Sequence, residues 1–540
     1  MQRTSRNNKI LFLLIALFAF AESCIPYICA HRNTPPGYTF SGQLTYSPDQ
    51  NMYFSFISQA RDGAFILKNK LTAMPHEPVF VNLEYWLVGF IQRVTGKTEN
   101  SIYILWRFMG TVLLAIGFYM LVQMVLGTQR RRLAAFAAFF LTGGFGFVFA
   151  LLSGLHLIGF DTTQAGIIDM RYGMLPFQQI ITNPHFSFPH GLILIAYAFF
   201  LRGEQQGKTR DYILSGLFFT LIGLVRPYDI IPPVIIFPLY VLVTNGSLRF
   251  QFGQLLVRML PLFMIVPVFL YNVWLFKYHP VFKYWSLQGH NAGALPAPLW
   301  HYMAYGIVGV LAIVRLLQAR KYPPGNTGKF VFLWFAVTFV FIHLGKYIPA
   351  LGWSPQIGVY LLAPLTLAAC TVRLDVLFQN AVVRKIVIAG LAVAVVAGNV
   401  SILMYFSKDR TGDVKTAIFY TTDQEMEALS WMKSNIAPGA VVLADLPASQ
   451  RIAKYTKASV IAAHYSVTPR FAENAVLTAK LLADSSVTSG WEPLPDTVHA
   501  DYLYIRSAGR PFPPPGRYLE PVFSNSGIWI YKTRSRYLRY

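Results

Sequence analysis

Charged residues and cysteines are both scarce in this chain of 540 residues. Only 13% of the residues are charged, whereas an ordinary soluble domain carries about 25%. The three cysteines lie in apolar runs, which excludes a disulfide framework and a thiolate metal site. The motif HExxH, a Walker A loop, a serine nucleophile elbow and a CxxC pair are also absent. These absences exclude a disulfide scaffold and the enzymes that those motifs mark.

Apolar residues are abundant instead, at 54% of the chain. Runs of about 15–25 apolar residues recur, bounded by charges or by Pro and Gly, as in transmembrane helices. We therefore predict an α-helical polytopic membrane protein with about eleven transmembrane helices. The predicted segments are Ile10–Ala30, Ile102–Leu126, Leu133–Leu155, Phe188–Leu201, Tyr212–Val225, Ile230–Val243, Leu255–Leu275, His301–Leu317, Phe330–Leu344, Pro355–Thr371 and Ile386–Phe406.

The net charge of +22 follows the predicted topology, since alternate gaps between the apolar segments collect basic residues. Cytoplasmic loops carry such an excess, so we predict a cytoplasmic N-terminus, an external C-terminal segment and no nucleic-acid partner. The first segment also fits a cleavable signal peptide, although its apolar run continues past Glu22, which favours a retained anchor. The basic gaps contain Arg130, Arg131, Arg132, Arg202, Lys208, Arg210, Arg320, Lys321, Lys329, Arg373, Arg384 and Lys385.

Two polar regions interrupt this pattern. The first, residues 31–101, is too long for a passive connector and contains two amphipathic stretches, Gln50–Ala60 and Val81–Val94. The second, residues 407–540, alternates predicted helices with short apolar strands, which indicates a small external α/β domain. Its elements include a helix over Asp423–Asn435 and a buried strand over Ala440–Ala444. We expect both regions on the external side.

The acids of the first external loop are the candidates for catalysis. Asp49 stands beside Pro48, and Glu77 stands beside Pro78, so both carboxylates lie on stiff backbone. A carboxylate at the membrane surface suits a general base, but Asp49 also precedes an amphipathic stretch that it could cap. Asp62 precedes Gly63 and has the pattern of a turn residue.

The order of these features resembles that of a known superfamily. A basic N-terminus and one helix are followed by a long loop with an acidic motif, an EP…YWL element and Arg107 at the start of the next helix. This arrangement resembles the GT-C membrane glycosyltransferases of the protein O-mannosyltransferase and aminoarabinose transferase type. The resemblance covers residues 1–245 best. It implies a glycosyltransferase-like transmembrane domain over residues 1–406 and an external α/β domain over 407–540.

The resemblance implies roles for individual residues. Asp49 would be the catalytic base and Glu77 a second acid. The donor phosphate would contact Arg226, in the turn GLVRPYDII, with Arg107 and His185 as further candidates. Each of these residues has a structural alternative. Arg226 could pair with Asp229, and Arg107 could extend its charged end to the membrane surface. His185 could be an interfacial histidine whose hydrogen bonds are satisfied within the protein. The acceptor or the cavity would be lined by Tyr53, His76 and Asp62.

We therefore predict an integral inner-membrane glycosyltransferase, inverting, that moves a hexose or pentose from a polyprenyl-phosphate donor to an external glycan, lipid or protein acceptor. Many relatives carry an adjacent acidic pair, whereas Gln50 follows Asp49 here. The sequence identifies no certain cofactor, and a divalent cation (Mg or Mn) stays open. Two other functions stay open: a lipid or polysaccharide transporter or flippase, and a non-catalytic assembly factor. Acids in an external loop, and not within the helices, favour the enzyme.

Overall fold

A computed structural model describes residues 6–45, 47–159, 175–245, 252–289, 302–344, 347–348, 354–407, 419–484, 499–506 and 517–534. Its helices are α1 Arg6–Arg32, α2 Ser47–Arg61, α3 Leu83–Thr95, α4 Glu99–Val125, α5 Gln129–Leu141, α6 Gly146–Gly154, α7 Pro176–Thr182, α8 Pro184–Gln206, α9 Thr209–Gly223, α10 Ile231–Asn245, α11 Phe252–Val273, α12 Lys283–Gly289, α13 Gly306–Gln318, α14 Asn326–Leu344, α15 Leu362–Ala369, α16 Leu374–Leu377, α17 Ala381–Ser407, α18 Asp423–Asn435, α19 Leu446–Tyr455 and α20 Phe471–Ala483. The strands are β1 Tyr38–Phe40, β2 Tyr420–Thr422, β3 Val441–Leu443, β4 Ser459–Val460, β5 Tyr502–Arg506, β6 Leu519–Ser524 and β7 Ile528–Thr533.

The chain forms two compact units. The helical unit comprises Met1–Ile28, Tyr103–Asn272 and Gly293–Lys408. The mixed unit comprises Cys29–Ile102, Val273–Ala292 and Asp409–Tyr540. The polar loop after the first helix therefore belongs to the same unit as the C-terminal segment, whereas the sequence-based division places that loop in residues 1–406.

The described helices confirm a multi-pass membrane protein but do not confirm the count of eleven spans. Seven helices are long and apolar enough to cross a membrane, or up to eight if the bent pair α5 and α6 counts as one span. Two shorter apolar segments, Gly306–Gln318 and Gln356–Ala369, add to these. The predicted segment Pro355–Thr371 is a 3-10 helix over Ser354–Tyr360 followed by α15.

A glycine contact explains why the predicted segment Leu133–Leu155 is two helices bent by 59°. The break between α5 and α6 contains Gly143, whose N–H donates to the carbonyl of Val395 on α17 over 3.2 Å. A Cβ on Gly143 would lie 2.1 Å from the carbonyl carbon of Gly398. The two backbones can approach so closely because neither residue has a side chain.

The mixed unit contains the predicted α/β elements. Its five-stranded sheet has the order β4-β3-β5-β7-β6. Strand β3 is parallel to β4 and to β5, whereas β7 is antiparallel to β5 and to β6. The predicted helix Asp423–Asn435 is confirmed, with Thr422 as its N-cap, and the strand predicted over Ala440–Ala444 is β3. The antiparallel pair β1 and β2 joins the first loop to the C-terminal segment. The sequence did not predict this pair.

Candidate active site

Asp49 lies in the first turn of α2, as the third residue of the helix. Asp49 is not the residue immediately before the helix. It is therefore not the N-cap, which was the alternative to a catalytic base at this position. A carboxylate in a first turn is favoured by the positive end of the helix dipole. The side chain of Asp49 is 26% exposed. The carboxylate is therefore held on a regular element and keeps access to solvent.

His464 holds this carboxylate. Its Nε2 lies 2.8 Å from Oδ1 of Asp49, and its side chain is fully buried. The backbone N–H of Ser466 donates to Nδ1 of His464 over 3.2 Å, so Nδ1 is an acceptor and carries no proton. This network assigns the neutral Nε2–H tautomer, in which the imidazole donates to Asp49. Asp49 is therefore the group of the pair that can accept a proton from a substrate.

Ser466 completes a set of residue types that is also found in serine hydrolases. Its Oγ lies 2.9 Å from Nδ1 of His464. The hydroxyl and the backbone N–H of the same residue converge on one nitrogen two residues away, which is a local hydrogen-bonding pattern. Ser466 is only 7% exposed. The arrangement therefore fixes the imidazole and gives no nucleophile that a substrate can reach.

The segment that carries His464 is tied to the first loop by further hydrogen bonds. Thr468 Oγ1 accepts from the N–H of His464 over 3.2 Å and donates to the carbonyl of Leu71 over 2.6 Å. Asn69 Nδ2 donates to the carbonyl of Val467 over 2.9 Å. Because these bonds satisfy buried polar groups, the position of His464 relative to α2 is strongly determined.

Lys70 is a buried cation in the first loop. Its Nζ donates to Ser58 Oγ over 3.1 Å and to the carbonyl of Thr456 over 2.7 Å. Burial removes the ammonium from water and lowers the pKa of Lys70 to about 7. Lys70 therefore joins the first loop to the C-terminal segment of the mixed unit. A neutral amine can also form part of these hydrogen bonds.

The other predicted residues of the first loop are not brought to Asp49 by any described hydrogen bond or ion pair. Glu77 is exposed on the loop. Asp62 pairs with Arg61 over 3.0 Å, immediately after α2, which agrees with a turn residue. His76 accepts from the N–H of Asn69 through Nε2 (3.1 Å), and its Nδ1 lies 2.8 Å from the carbonyl of Met74.

Tyr53 belongs to the aromatic core of the mixed unit. It is 6% exposed, and its ring stacks on Tyr85 with 5.7 Å between centroids. Tyr85 also stacks on Phe56 at 5.8 Å. These contacts position α2 against α3. The predicted roles of Tyr53, His76, Asp62 and Glu77 in substrate binding or catalysis stay predictions.

Arg226 is the centre of a buried cluster in the helical unit. Nη1 donates to Tyr360 Oη over 3.0 Å, and Nε and Nη2 donate to Tyr228 Oη over 3.0 and 2.8 Å. Nε also lies 3.5 Å from Oδ2 of Asp229, which accepts from Tyr360. The guanidinium packs over the ring of Phe186 at 4.3 Å. Each nitrogen of the guanidinium thus has a partner within the protein. This agrees with the alternative in which Arg226 pairs with Asp229.

Arg107 and His185 are also buried in the helical unit. Arg107 donates to the carbonyl of Ile180 over 2.8 Å and to the carbonyl and hydroxyl of Ser23, each over 2.7 Å. It is fully buried, so it anchors α1 and α7 to α4 and does not snorkel to the membrane surface. His185 lies in the first turn of α8 and not in a loop as predicted, and it is 9% exposed. Their predicted contacts with a phosphate stay predictions.

Among the described residues, those around Asp49 do not form a ligand set for a divalent cation. Mg²⁺ and Ca²⁺ are held by several oxygen ligands, usually including more than one carboxylate. In the described ranges, no group of three or more His, Cys, Asp or Glu side chains could hold a metal ion. Oδ1 of Asp49 is engaged by an imidazole N–H.

The fold of the chain is similar to the folds of two solved membrane proteins, an oligosaccharyltransferase and ArnT. The chain is similar to an Archaeoglobus fulgidus oligosaccharyltransferase, AglB, in complex with an inhibitory peptide and a dolichol-phosphate: TM-score 0.55, 12% identity, covering 93% of this chain and 70% of that one. It is also similar to ArnT from Cupriavidus metallidurans bound to undecaprenyl phosphate: TM-score 0.51, 12% identity, covering 98% of both chains. No family model and no curated protein matches the sequence. The predicted fold class is confirmed.

Proposed function

We propose that this protein is a membrane glycosyltransferase that moves a sugar from a polyprenyl-phosphate donor to an acceptor on the external face of the membrane. The observation that carries the proposal is the pair of Asp49 and His464, a part-exposed carboxylate oriented by a buried imidazole. The shared fold supports it, because solved structures with this fold contain a dolichol-phosphate or undecaprenyl phosphate.

The reaction needs one base. Asp49 takes the proton of an acceptor hydroxyl or amine while the acceptor atom attacks the anomeric carbon of the sugar. The bond between that carbon and the phosphate oxygen breaks, and polyprenyl phosphate leaves with the bonding electron pair. One displacement of this kind inverts the anomeric configuration. The proton ends on the carboxyl of Asp49, where the N–H of His464 still donates to Oδ1.

The imidazole contributes orientation and not proton transfer. Nδ1 of His464 already accepts a hydrogen bond from the N–H of Ser466. The ring therefore keeps its proton on Nε2 and does not take a second proton on Nδ1. A fixed donor restricts the rotamers of Asp49, which lowers the entropy that must be lost at the transition state. We therefore assign His464 as a positioning residue for the base.

For the donor phosphate, the sequence candidates remain Arg226, Arg107 and His185. The internal hydrogen bonds of Arg226 and Arg107 favour a structural contribution, in which each arginine holds several helices together. For Arg226, a phosphate contact would require at least one of these bonds to be exchanged, whereas Nη1 of Arg107 is buried with no hydrogen-bond partner among the described residues. The proposal therefore depends on Asp49 and not on these residues.

Mass spectrometry of surface glycans and lipids tests the function in cells. Cells that lack the protein should lose one sugar modification, and the wild-type gene should restore it. Asp49→Asn should not restore it, whereas Asp423→Asn should, since Asp423 is also an acid in the first turn of a helix of the mixed unit.

The same experiment separates the enzyme from the two alternatives. An assembly factor or a flippase uses no base, so Asp49→Asn would restore the modification at normal expression. Restoration by that variant would remove the basis for Asp49 as the catalytic base. An unchanged profile of glycans and lipids in the cells without the protein would overturn the glycosyltransferase itself.

A further inference from the structure

An apolar cavity of about 320 Å³ lies within the helical unit, where the ends of four helices meet. It is lined by the end of α4, the last turns of α13 and α15, and about the first three turns of α14. A volume of this size is typical of small-ligand sites. Its walls are mainly aliphatic and aromatic, with Leu316, Val331, Phe332, Phe335 and Leu365 among the lining residues.

One cation, Arg315, lines this apolar cavity. Its Nε donates to Thr371 Oγ1 over 3.1 Å, and its Nη2 donates to the carbonyl of Tyr322 over 3.0 Å. These bonds leave Nη1 buried with no hydrogen-bond partner in the part of the chain that the structure describes. No carboxylate among the described residues forms an ion pair with Arg315. A buried donor of this kind costs free energy unless a ligand accepts its hydrogen bond.

The surroundings add positive charge and little negative charge. Arg131 interacts electrostatically with Arg315, and Arg373, two residues after the lining residue Thr371, is paired with Asp375 over 2.7 Å. The first turn of α14, which also lines the cavity, contains no acidic residue. The same helix ends carry Arg320, Lys321 and Lys329, which the sequence places on the cytoplasmic side. Basic pockets between transmembrane helices on that side suit lipid headgroups.

We propose that this cavity binds one anionic phospholipid, with an acyl chain against the apolar walls and the phosphate accepting from Nη1 of Arg315. The apolar volume excludes a free phosphate as the natural occupant, because that ion offers nothing to bury against Phe332 and Phe335. The site is separate from Asp49 and does not depend on the proposed reaction.

Native mass spectrometry of the full-length protein in mild detergent tests this site. With phosphatidylglycerol and phosphatidylcholine of identical chains, one phosphatidylglycerol should be retained in preference. Arg315→Gln should lower its occupancy about fivefold, the effect of one cation at a membrane surface. Arg320→Gln removes the same charge five residues further along the chain, from an exposed position outside the cavity lining, and should not change it. Equal retention of the two lipids, or equal losses in the two variants, would overturn the proposal.

A second variant keeps the test decisive if Arg315→Gln does not fold. Ala319→Leu adds three carbon atoms to the cavity wall and leaves the guanidinium in place. It should reduce phosphatidylglycerol retention at an unchanged melting temperature. Unchanged retention in this variant would show that the lipid binds elsewhere, and inorganic phosphate should not displace the lipid.

Discussion

A neutral histidine that donates to an aspartate orients the carboxylate without competing for its proton. His464 has this role because the N–H of Ser466 occupies its other nitrogen. The carboxylate of Asp49 could be predicted from the sequence, since it stands beside a proline in a long loop. Its partner could not, because 415 residues separate His464 from Asp49. A histidine in an apolar stretch, AAHYS, has no local signal of this role.

Replacement of His464 by Leu should lower the rate of transfer about tenfold, the effect of one hydrogen bond to a charged group. The loss should fall on kcat, because the residue orients a base and does not contact the donor. Steady-state kinetics of the purified variant measure this split. His499→Leu is the control, since His499 lies in the same unit and its Nε2 lies 3.8 Å from Oδ1 of another aspartate, Asp501. An unchanged kcat in His464→Leu would contradict the positioning role.

The buried Lys70 should make the mixed unit more stable as the pH rises from about 7 towards 10.5. Its folded pKa of about 7 lies below the ordinary lysine value of 10.5, so in that window the unfolded chain binds a proton that the folded chain does not. The free energy of unfolding then rises by up to about 1.4 kcal/mol for each pH unit. Lys70→Met should remove this dependence. Thermal unfolding of both proteins between pH 6 and pH 10 measures it, and parallel curves would contradict the account.

Helix packing at Gly398 is the clearest prediction at the scale of elements. A Cβ at this position would lie 2.3 Å from Cα of Gly143, so Gly398→Val should separate α17 from the break between α5 and α6. We expect a loss of about 1–3 kcal/mol, measured as a lower melting temperature in detergent. Gly390 lies on the same helix, and a Cβ at this position would have no atom within 4 Å. The control variant Gly390→Val therefore makes the same change in helix propensity without the close contact. Equal effects of the two variants would exclude the packing explanation.

The existence of most elements could be predicted, whereas their breaks and pairings could not. Long apolar runs and Pro438-Gly439 predicted the spans and the end of α18, because those signals are local. The break at Gly143 depends on a contact with α17, and the pairing of β1 with β2 joins residues 38–40 to 420–422. His185 lies in the first turn of α8 although Pro184 precedes it, because Pro is tolerated in the first turn of a helix.

At the scale of the whole molecule, the basic residues predict the topology. Clusters such as Arg130–Arg132 favour a cytoplasmic N-terminus and an external C-terminal segment. An alkaline phosphatase fused after Tyr540 should therefore be active, and a green fluorescent protein fused there should be dark. Fusions after Lys329, in a gap predicted to be cytoplasmic, should give the opposite pair of results. A fluorescent C-terminal fusion would reverse the assigned side of the mixed unit and place Asp49 in the cytoplasm.

The most direct test of the central claim is the release of polyprenyl phosphate by the purified protein. Polyprenyl-phosphate sugars and acceptors extracted from the native cells serve as substrates, and mass spectrometry quantifies the free carrier. We expect Asp49→Asn to lower the rate of release at least about 100-fold and to keep the wild-type melting temperature. Asp423→Asn should release the carrier at the wild-type rate. Release by Asp49→Asn at the wild-type rate would contradict the assignment of Asp49 as the base of a glycosyl transfer.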